Sequence, residues 1–160
     1  MDLLAFDYRS PRAWAITAAF VVGVVAIGGF VGVSAAPDAW YQSLAKAPWN
    51  PPNWVFAPAW FTLYVLIGIA GARTAMRDVT SPQMMVWILQ MVLNFAWSPT
   101  WFSLHQIWPA FALISAILLL ILGFIALSWK VDRVAAWLFV PYAVWVAFAA
   151  TLNLSIALLN

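Results

Sequence analysis

Residues 107–129 read IWPAFALISAILLLILGFIALSW and contain no charged side chain. An α-helix rises about 1.5 Å per residue, so roughly 20 mainly apolar residues cross the ~30 Å hydrocarbon layer of a bilayer. This stretch is long enough for one crossing and indicates a membrane-spanning helix. The rest of the chain must therefore be interpreted with lipid as the solvent.

The composition supports the same interpretation for the whole chain. Of 160 residues, 66% are hydrophobic and 8% charged, and the mean hydropathy of +0.94 exceeds that of ordinary soluble domains. Apolar runs bounded by charge, proline or polar clusters occupy about 13–35, 53–72, 82–103, 107–129 and 134–157. Because an ionised group is costly in hydrocarbon, the lack of Lys, Arg, Asp and Glu inside these runs is expected of membrane spans. We predict an all-α integral membrane protein, a bundle of five transmembrane helices forming a single domain over residues 1–160.

The loops have an uneven distribution of positive charge. In a five-span topology, six basic residues share one face of the membrane: Arg9, Arg12, Arg73, Arg77, Lys130 and Arg133. Lys46 alone lies on the other face. Since cytoplasmic loops carry an excess of Lys and Arg, this pattern predicts a cytoplasmic N-terminus if the membrane is a bacterial inner membrane.

The first span has an alternative interpretation as a cleaved signal peptide, since Arg9 and Arg12 precede it and Val33-Ser34-Ala35 resembles a cleavage site. The apolar run is longer than the ~7–15 residues of a typical signal peptide, which favours an uncleaved helix. Within it, Gly28 and Gly32 are four residues apart and would allow another helix to approach closely.

The first loop, 36–52, is long and combines prolines with Trp40, Tyr41 and Trp49. Prolines restrict its backbone, and its aromatic residues are expected to fold back onto the helix ends. The other connections are short, which predicts that consecutive helices are neighbours in one bundle.

Conventional catalytic groups are scarce. The chain has no cysteine and a single histidine, His105, and no metal-ligand spacing is present. The five aspartates lie at membrane edges: Asp2, Asp7, Asp38, Asp78 and Asp132. We predict no catalytic residue and no metal site, and the lack of a clustered basic face argues against nucleic-acid binding. His105 could ligate haem iron or serve simply as an interfacial polar residue.

Tryptophan is abundant, with twelve residues beside eleven Phe and four Tyr. Several lie near span ends, where an aromatic belt at the lipid headgroups explains them: Trp14, Trp54, Trp108, Trp129 and Trp137. Trp145 falls near the middle of the fifth span, and Trp60 lies inside the second. These two indoles are candidates for the wall of an interior cavity.

Residues three and four apart share a helix face, which places Tyr64 with Trp60, Phe148 and Ala149 with Trp145, and Trp97 and Gln90 with Asn94. If these faces converge, they form an aromatic chamber with a few polar groups, suited to a flat hydrophobic ligand. Alternatively, Asn94 and Asn153 only hydrogen-bond between helices, and the tryptophans only anchor a bundle whose interior is filled by its own side chains.

Three stretches carry a family resemblance: Trp40-Tyr41 followed by KAPWNPPNWVFAPAWFTLY at 46–64, Gln90 with NFAWSP at 94–99, and VPYAVWVAFAATLN at 140–153. In this order they resemble the translocator protein family, the TspO/MBR or tryptophan-rich sensory proteins, which include the peripheral-type benzodiazepine receptors. The resemblance covers roughly residues 13–157.

The resemblance implies a five-helix bundle, usually a homodimer, with a pocket covered by the first loop. Family ligands are protoporphyrin IX, haem, cholesterol and synthetic benzodiazepine-type compounds. The corresponding ligand-binding positions are Tyr41, Trp49, Asn50, Trp60, Tyr64, Asn94, Trp97, Trp145, Phe148 and Ala149. It predicts a membrane receptor, sensor or transporter that binds porphyrins or sterol-like molecules, without an obligatory cofactor, and regulates tetrapyrrole metabolism or a stress response. The alternative is enzyme-like, light-dependent degradation of protoporphyrin IX, with Trp60 and Trp145 as the photochemical residues.

Two departures from the family pattern modify these expectations. The cholesterol-recognition motif has a Tyr where this chain has Leu154, and no basic residue follows up to Asn160. Tight cholesterol binding through that weak motif is therefore not expected. The third span, over 84–91, also lacks the small residues that pack some bacterial dimers, so a dimer through that face is expected to be less secure.

Overall fold

The computed structural model describes residues 8–160, and within that range all regular secondary structure is helical. The six α-helices are α1 (Pro11–Ser34), α2 (Ala39–Ser43), α3 (Phe56–Arg77), α4 (Pro82–Ser98), α5 (Ile107–Ser128) and α6 (Arg133–Leu159). A 3-10 turn, Asn53–Val55, precedes α3, and a π-helical turn, Pro99–Ser103, follows α4. The predicted all-α class is confirmed for this part of the chain, while Asp2 and Asp7 lie outside it.

Capping residues set the starts of three long helices. Ser10 accepts a hydrogen bond from the backbone N–H of Ala13, and Ser81 caps α4 in the same way. Both serines precede a proline, which is well suited to the first helical turn because its missing N–H is not needed there. The Asp132 carboxylate caps α6. Local sequence therefore fixes where these helices begin.

Four helical segments are long and apolar enough to cross a membrane: Pro11–Ser34, Asn53–Arg77, Ile107–Ser128 and Arg133–Leu159. They identify an integral, multi-pass membrane protein and coincide with four of the five predicted spans. The remaining predicted span, 82–103, is divided between the 17 residues of α4 and the π-helical turn. The α-helical part of this span is thus shorter than the prediction.

The long helices form one bundle in which α1 packs on α3, α3 on α6, α6 on α5 and α5 on α4. Three of the four pairs of consecutive spans are therefore neighbours, as expected, whereas the fourth pair, α3 and α4, approach each other only slightly. The Trp87 indole of α4 lies against Gly71 of α3, where an added Cβ atom would clash with the ring. The same indole donates a hydrogen bond to the Ile67 carbonyl at 3.0 Å.

Helix α1 is a packed part of the bundle. A Cβ atom at Gly68 of α3 would be 2.7 Å from the Cα of Val21, so the two backbones are in close contact. The ring of Tyr64 packs directly against Gly28, in agreement with the predicted close approach of another helix to this glycine. The same expectation is wrong for Gly32, where an added Cβ would meet nothing within 4 Å, because α1 and α3 have separated at that level.

The basic segments meet at one end of the bundle. Arg73, near the end of α3, makes two hydrogen bonds of 3.0 Å to the Asp132 carboxylate before α6. The guanidinium of Arg73 also lies over the Tyr8 ring, 4.1 Å from its centroid. The N-terminal segment, the second loop and the fourth loop therefore share one end, as the charge pattern requires.

The first loop folds back onto the opposite end, as predicted. The Asn160 side chain accepts from the Ala45 N–H at 2.9 Å and donates to the Ala45 carbonyl at 3.1 Å. The Lys46 ammonium donates to the carbonyl oxygens of Tyr41 and Leu44. These contacts fasten the loop to the end of α6 and close α2 at its C-terminus.

A second fastening point joins the loop to the connection before α5. His105 Nε2 lies 3.0 Å from Asp38 Oδ2, and its ring stacks on Trp40 with the centroids 4.2 Å apart. The backbone N–H of Tyr41, and then His105, hold the pKa of Asp38 below its usual value. His105 has φ 55°, a left-handed conformation that is uncommon for residues other than glycine.

Pro141 lies inside α6. Proline has no N–H to donate to the carbonyl four residues earlier, which belongs to Trp137, and its ring crowds that carbonyl. The helical hydrogen-bond ladder is thus interrupted between the Asp132 cap and the half of α6 that contains Trp145.

The tryptophans assigned to the aromatic belt all have exposed side chains: Trp14, Trp54, Trp108, Trp129 and Trp137. Their exposure near helix ends is what a belt requires. They lie apart from the cavity described below.

Candidate functional site: an aromatic cavity

A cavity of about 730 Å³ lies among α1, α3, α4, α5 and α6, beneath the first loop. Ligand sites typically have volumes of ~300–1,000 Å³, so the cavity is large enough for a drug-sized molecule. Among residues 8–160, no charged side chain lines it. The alternative in which the interior is filled by the protein's own side chains is therefore wrong.

The structure brings most of the predicted site residues to this cavity. Its walls include Tyr41, Trp60, Tyr64, Asn94, Trp97, Trp145 and Ala149. They come from α2, α3, α4 and α6, elements that are distant in sequence. The helical faces identified from residue spacing do converge on one hollow.

Three predicted residues do not line the cavity. Trp49 is 58% exposed on the first loop, and Phe148 packs against the Trp145 ring at a centroid distance of 5.9 Å. Asn50 lies beside the hydroxyl of Tyr41 and offsets part of the rise that burial causes in the pKa of Tyr41. Asn50 and Phe148 therefore contact the wall residues Tyr41 and Trp145 but do not line the cavity themselves.

Trp60 belongs to an aromatic group in the wall. Its ring lies 5.4 Å from that of Tyr64 and 6.2 Å from that of Tyr142. Such centroid distances are typical of favourable aromatic pairs. The group fixes the Trp60 ring at the cavity surface.

Trp145 contributes the only buried indole N–H in residues 8–160 that has no hydrogen-bond partner. Its ring meets Phe56 edge to face at 5.9 Å. A buried donor without a partner is energetically costly, by about 1–3 kcal/mol. A ligand with a hydrogen-bond acceptor would remove this cost.

A chain of hydrogen bonds joins the cavity wall to the core. Tyr64 donates to the Asn94 side-chain oxygen at 3.2 Å, and the Asn94 amide donates to the Tyr142 hydroxyl at 2.7 Å. Tyr142 in turn donates to Gln90 at 3.0 Å, and Gln90 donates to the carbonyl of Trp87. Gln90 is fully buried away from the cavity. The network orients Asn94 and holds α3, α4 and α6 together.

A second pair links the other asparagine to the wall. The Trp97 indole donates to the Asn153 side-chain oxygen at 3.3 Å, and the Asn153 amide donates to the Ala149 carbonyl at 3.2 Å. Asn94 and Asn153 therefore make the interhelical hydrogen bonds of the alternative interpretation, and both also line the cavity.

The sequence interpretation missed several wall residues, of which Trp101 is the largest. It is 1% exposed, and its ring stacks nearly parallel to Trp97 with the centroids 6.0 Å apart. The spacing of four residues between the two tryptophans was a usable signal. Apolar wall residues without any such signal are Phe56, Phe102, Ile114, Ile117, Leu152 and Ile156.

His105 does not line the cavity, because its ring is held outside by Asp38 and Trp40. Its geometry gives no support to the alternative of a haem iron ligand. Within residues 8–160, no three His, Cys, Asp or Glu side chains are grouped so that they could hold a metal ion.

Comparison with known proteins agrees with this architecture. The model of the TspO/MBR family matches residues 15–159. The chain is 36% identical to protein CrtK of Rhodobacter capsulatus over 139 residues, covering 84% of this chain and 87% of the relative. It is 32% identical to the tryptophan-rich sensory protein of Cereibacter sphaeroides, covering 92% of both chains. The translocator protein of Ovis aries is 37% identical, covering 79% of both. The chain therefore belongs to the TspO/MBR family, as its sequence motifs indicated.

Proposed function

We propose that this protein is a membrane receptor, sensor or transporter whose cavity binds a porphyrin, protoporphyrin IX or haem, and so regulates tetrapyrrole metabolism or a stress response. The observation that carries the proposal is an uncharged hollow of about 730 Å³ with Trp60 and Trp145 on its wall. Indole rings offer large apolar faces to a flat macrocycle. The names of the relatives, tryptophan-rich sensory protein and translocator protein, agree with such a role.

The charge distribution constrains how a porphyrin is held. Burying an ionised carboxylate without a partner is very unfavourable, and none of the cavity-lining residues in the described range 8–160 is a cation. The propionates therefore point toward the rim, where the polar side chains of Gln42 and Asn53 line the opening beneath the first loop. Sterol-like molecules share the flat apolar shape and form a second ligand class.

The proposal includes five membrane crossings, with the N-terminus in the cytoplasm if the membrane is a bacterial inner membrane. Helix α4 and its π-helical turn together cover residues 82–103, about the length that one crossing needs. Pairing as a homodimer is also proposed. An apolar stripe on α4 is exposed and available to a second copy or to lipid: Met85, Ile88, Leu89 and Val92.

Substituting the wall indoles is expected to weaken porphyrin binding. In a titration of the purified protein with protoporphyrin IX, followed by quenching of tryptophan fluorescence, Trp60→Phe and Trp145→Phe should each raise the Kd about tenfold. The matched control is Trp137→Phe, which removes an exposed belt residue and should leave the Kd unchanged. Equal affinities in all three variants would refute the assignment of the cavity as the porphyrin site.

A second candidate function is light-dependent degradation of protoporphyrin IX. The observation that favours it is the cluster of Trp60 with Tyr64 and Tyr142, aromatic rings that can donate electrons to an excited pigment. Illumination of the complex in the presence of dioxygen, which is the oxidant and the source of oxygen atoms for opening the macrocycle, should then yield a modified, bilin-like product, and Trp60→Phe should slow its formation severalfold at saturating pigment. Recovery of intact pigment after illumination would leave binding as the function.

A further inference from the structure

Part of the cavity wall is also the outer surface of the bundle. Val33 of α1 is 82% exposed and Phe61 of α3 is 59% exposed, and both line the cavity. Gly29 and Gly32 of α1 are likewise exposed and line it. Because α1 and α3 are membrane-spanning helices, these residues meet acyl chains on the outside.

The two helices are packed tightly at one level and separated at another. Gly68 touches the backbone of Val21, and Gly28 touches the ring of Tyr64. One turn further along the same face of α1, a Cβ atom at Gly32 would have no neighbour within 4 Å, and the same holds for Gly29, which lies beside Gly28. The gap between α1 and α3 therefore opens in the half of the membrane next to the first loop.

We propose that this gap, bordered by Gly29, Gly32 and Phe61, is the entrance through which a ligand dissolved in the bilayer passes sideways into the cavity. The inference rests on the proposed function for the identity of the ligand. It adds the source of that ligand, which is the hydrocarbon phase and not the aqueous side. It also restricts the ligand class to apolar molecules whose charges, if any, lie at one edge.

The rival route runs beneath the first loop, where Pro37, Gln42 and Asn53 reach the cavity rim. Widening that route requires the loop to move, and the loop is fastened by the Asp38–His105 contact and by Asn160 on Ala45. The gap between α1 and α3 lies among apolar side chains and glycines. Passage there displaces only lipid chains and breaks no polar contact.

The test is to fill the gap with a large side chain and to measure the rates of ligand association and dissociation. In protein reconstituted in vesicles, with protoporphyrin IX supplied in the lipid, Gly29→Phe and Gly32→Phe should slow association and dissociation alike, by about tenfold or more, because a barrier acts equally in both directions. The Kd should change by less than about threefold. The matched control is Gly23→Phe, also on α1 with open space around its Cβ position but away from the cavity.

Two kinetic outcomes would contradict the proposal that ligands enter between α1 and α3. Rates equal to those of Gly23→Phe would show that the gap is not used, and faster dissociation with weaker affinity would show that the glycines are only part of the wall. Asp38→Ala, which loosens the loop, should leave the association rate within about twofold of wild type. Faster entry in that variant would assign the route to the loop.

A ligand-independent measurement separates the entrance from the proposed function. The chain has no cysteine, so Ala149→Cys places a single thiol on the cavity wall. Labelling by the apolar reagent N-phenylmaleimide from the bilayer should be about tenfold slower when Gly32→Phe is added than when Gly23→Phe is added. If wild type does not bind protoporphyrin, the proposed function fails, while equal labelling rates would overturn the entrance alone.

Discussion

Gly68→Ala is expected to destabilise the bundle, whereas Gly123→Ala should leave its stability unchanged or raise it. The added Cβ at Gly68 would lie 2.7 Å from the Cα of Val21, and a backbone atom cannot rotate away. The helices must separate, at a cost of about 1–3 kcal/mol, which is typical of overpacking. At Gly123 the new methyl group meets nothing, and alanine favours a helix over glycine by up to ~1 kcal/mol.

The measurement is the thermal unfolding midpoint of the two variants in the same detergent, followed by circular dichroism. The midpoint of Gly68→Ala should fall below wild type, and that of Gly123→Ala should not. Because the chemical change is identical, only the environment of each glycine can produce a difference. Similar midpoints for the two variants would contradict the close packing of α1 on α3.

Tyr142→Phe is expected to be the most damaging single-atom change in the polar network. It leaves the Gln90 oxygen without its donor and the Asn94 amide without its acceptor, and both side chains are buried. Each unpaired buried group costs about 1–3 kcal/mol. Hydrogen bonds between membrane helices average only ~0.6 kcal/mol in double-mutant cycles, so we expect the total at the lower end, about 2 kcal/mol.

The control for this variant is a second substitution that removes the orphaned partner. Gln90→Leu added to Tyr142→Phe replaces both polar groups by apolar ones and should recover part of the lost stability, since matched removal is often nearly neutral. The same unfolding measurement applies. If the double variant is less stable than Tyr142→Phe alone, the network does not work as hydrogen-bonded pairs.

Helix positions were largely predictable from the sequence because charges and capping residues mark their ends. The first predicted span, 13–35, corresponds to Pro11–Ser34, and 107–129 to Ile107–Ser128. The π-helical turn at Pro99–Ser103 was not predictable, because apolar composition continues through it and a change of helical register leaves no compositional mark. That turn is also where α4 falls short of the predicted length.

The site was predictable where helical geometry alone decides orientation. In a helix of 100° per residue, Ala149 lies about 40° from Trp145 around the axis, and Phe148 lies about 60° away on the other side. Ala149 lines the cavity and Phe148 does not, so sharing a face was too coarse a criterion. The position of Trp49 could not be deduced, since a loop has no periodicity. Porphyrin as the ligand stays a prediction.

The interruption at Pro141 gives α6 two mechanically distinct segments. The segment before the proline is tied through Asp132 and Arg73 to the basic end of the bundle. The segment after it contains every α6 residue of the cavity wall: Trp145, Val146, Ala149, Leu152, Asn153 and Ile156. A helix bends most readily where a backbone hydrogen bond is missing. A bend at Pro141 would therefore move the second segment of α6 and change the width of the cavity, so that ligands of different thickness fit. The first segment, held by the Arg73–Asp132 ion pair, would keep its position.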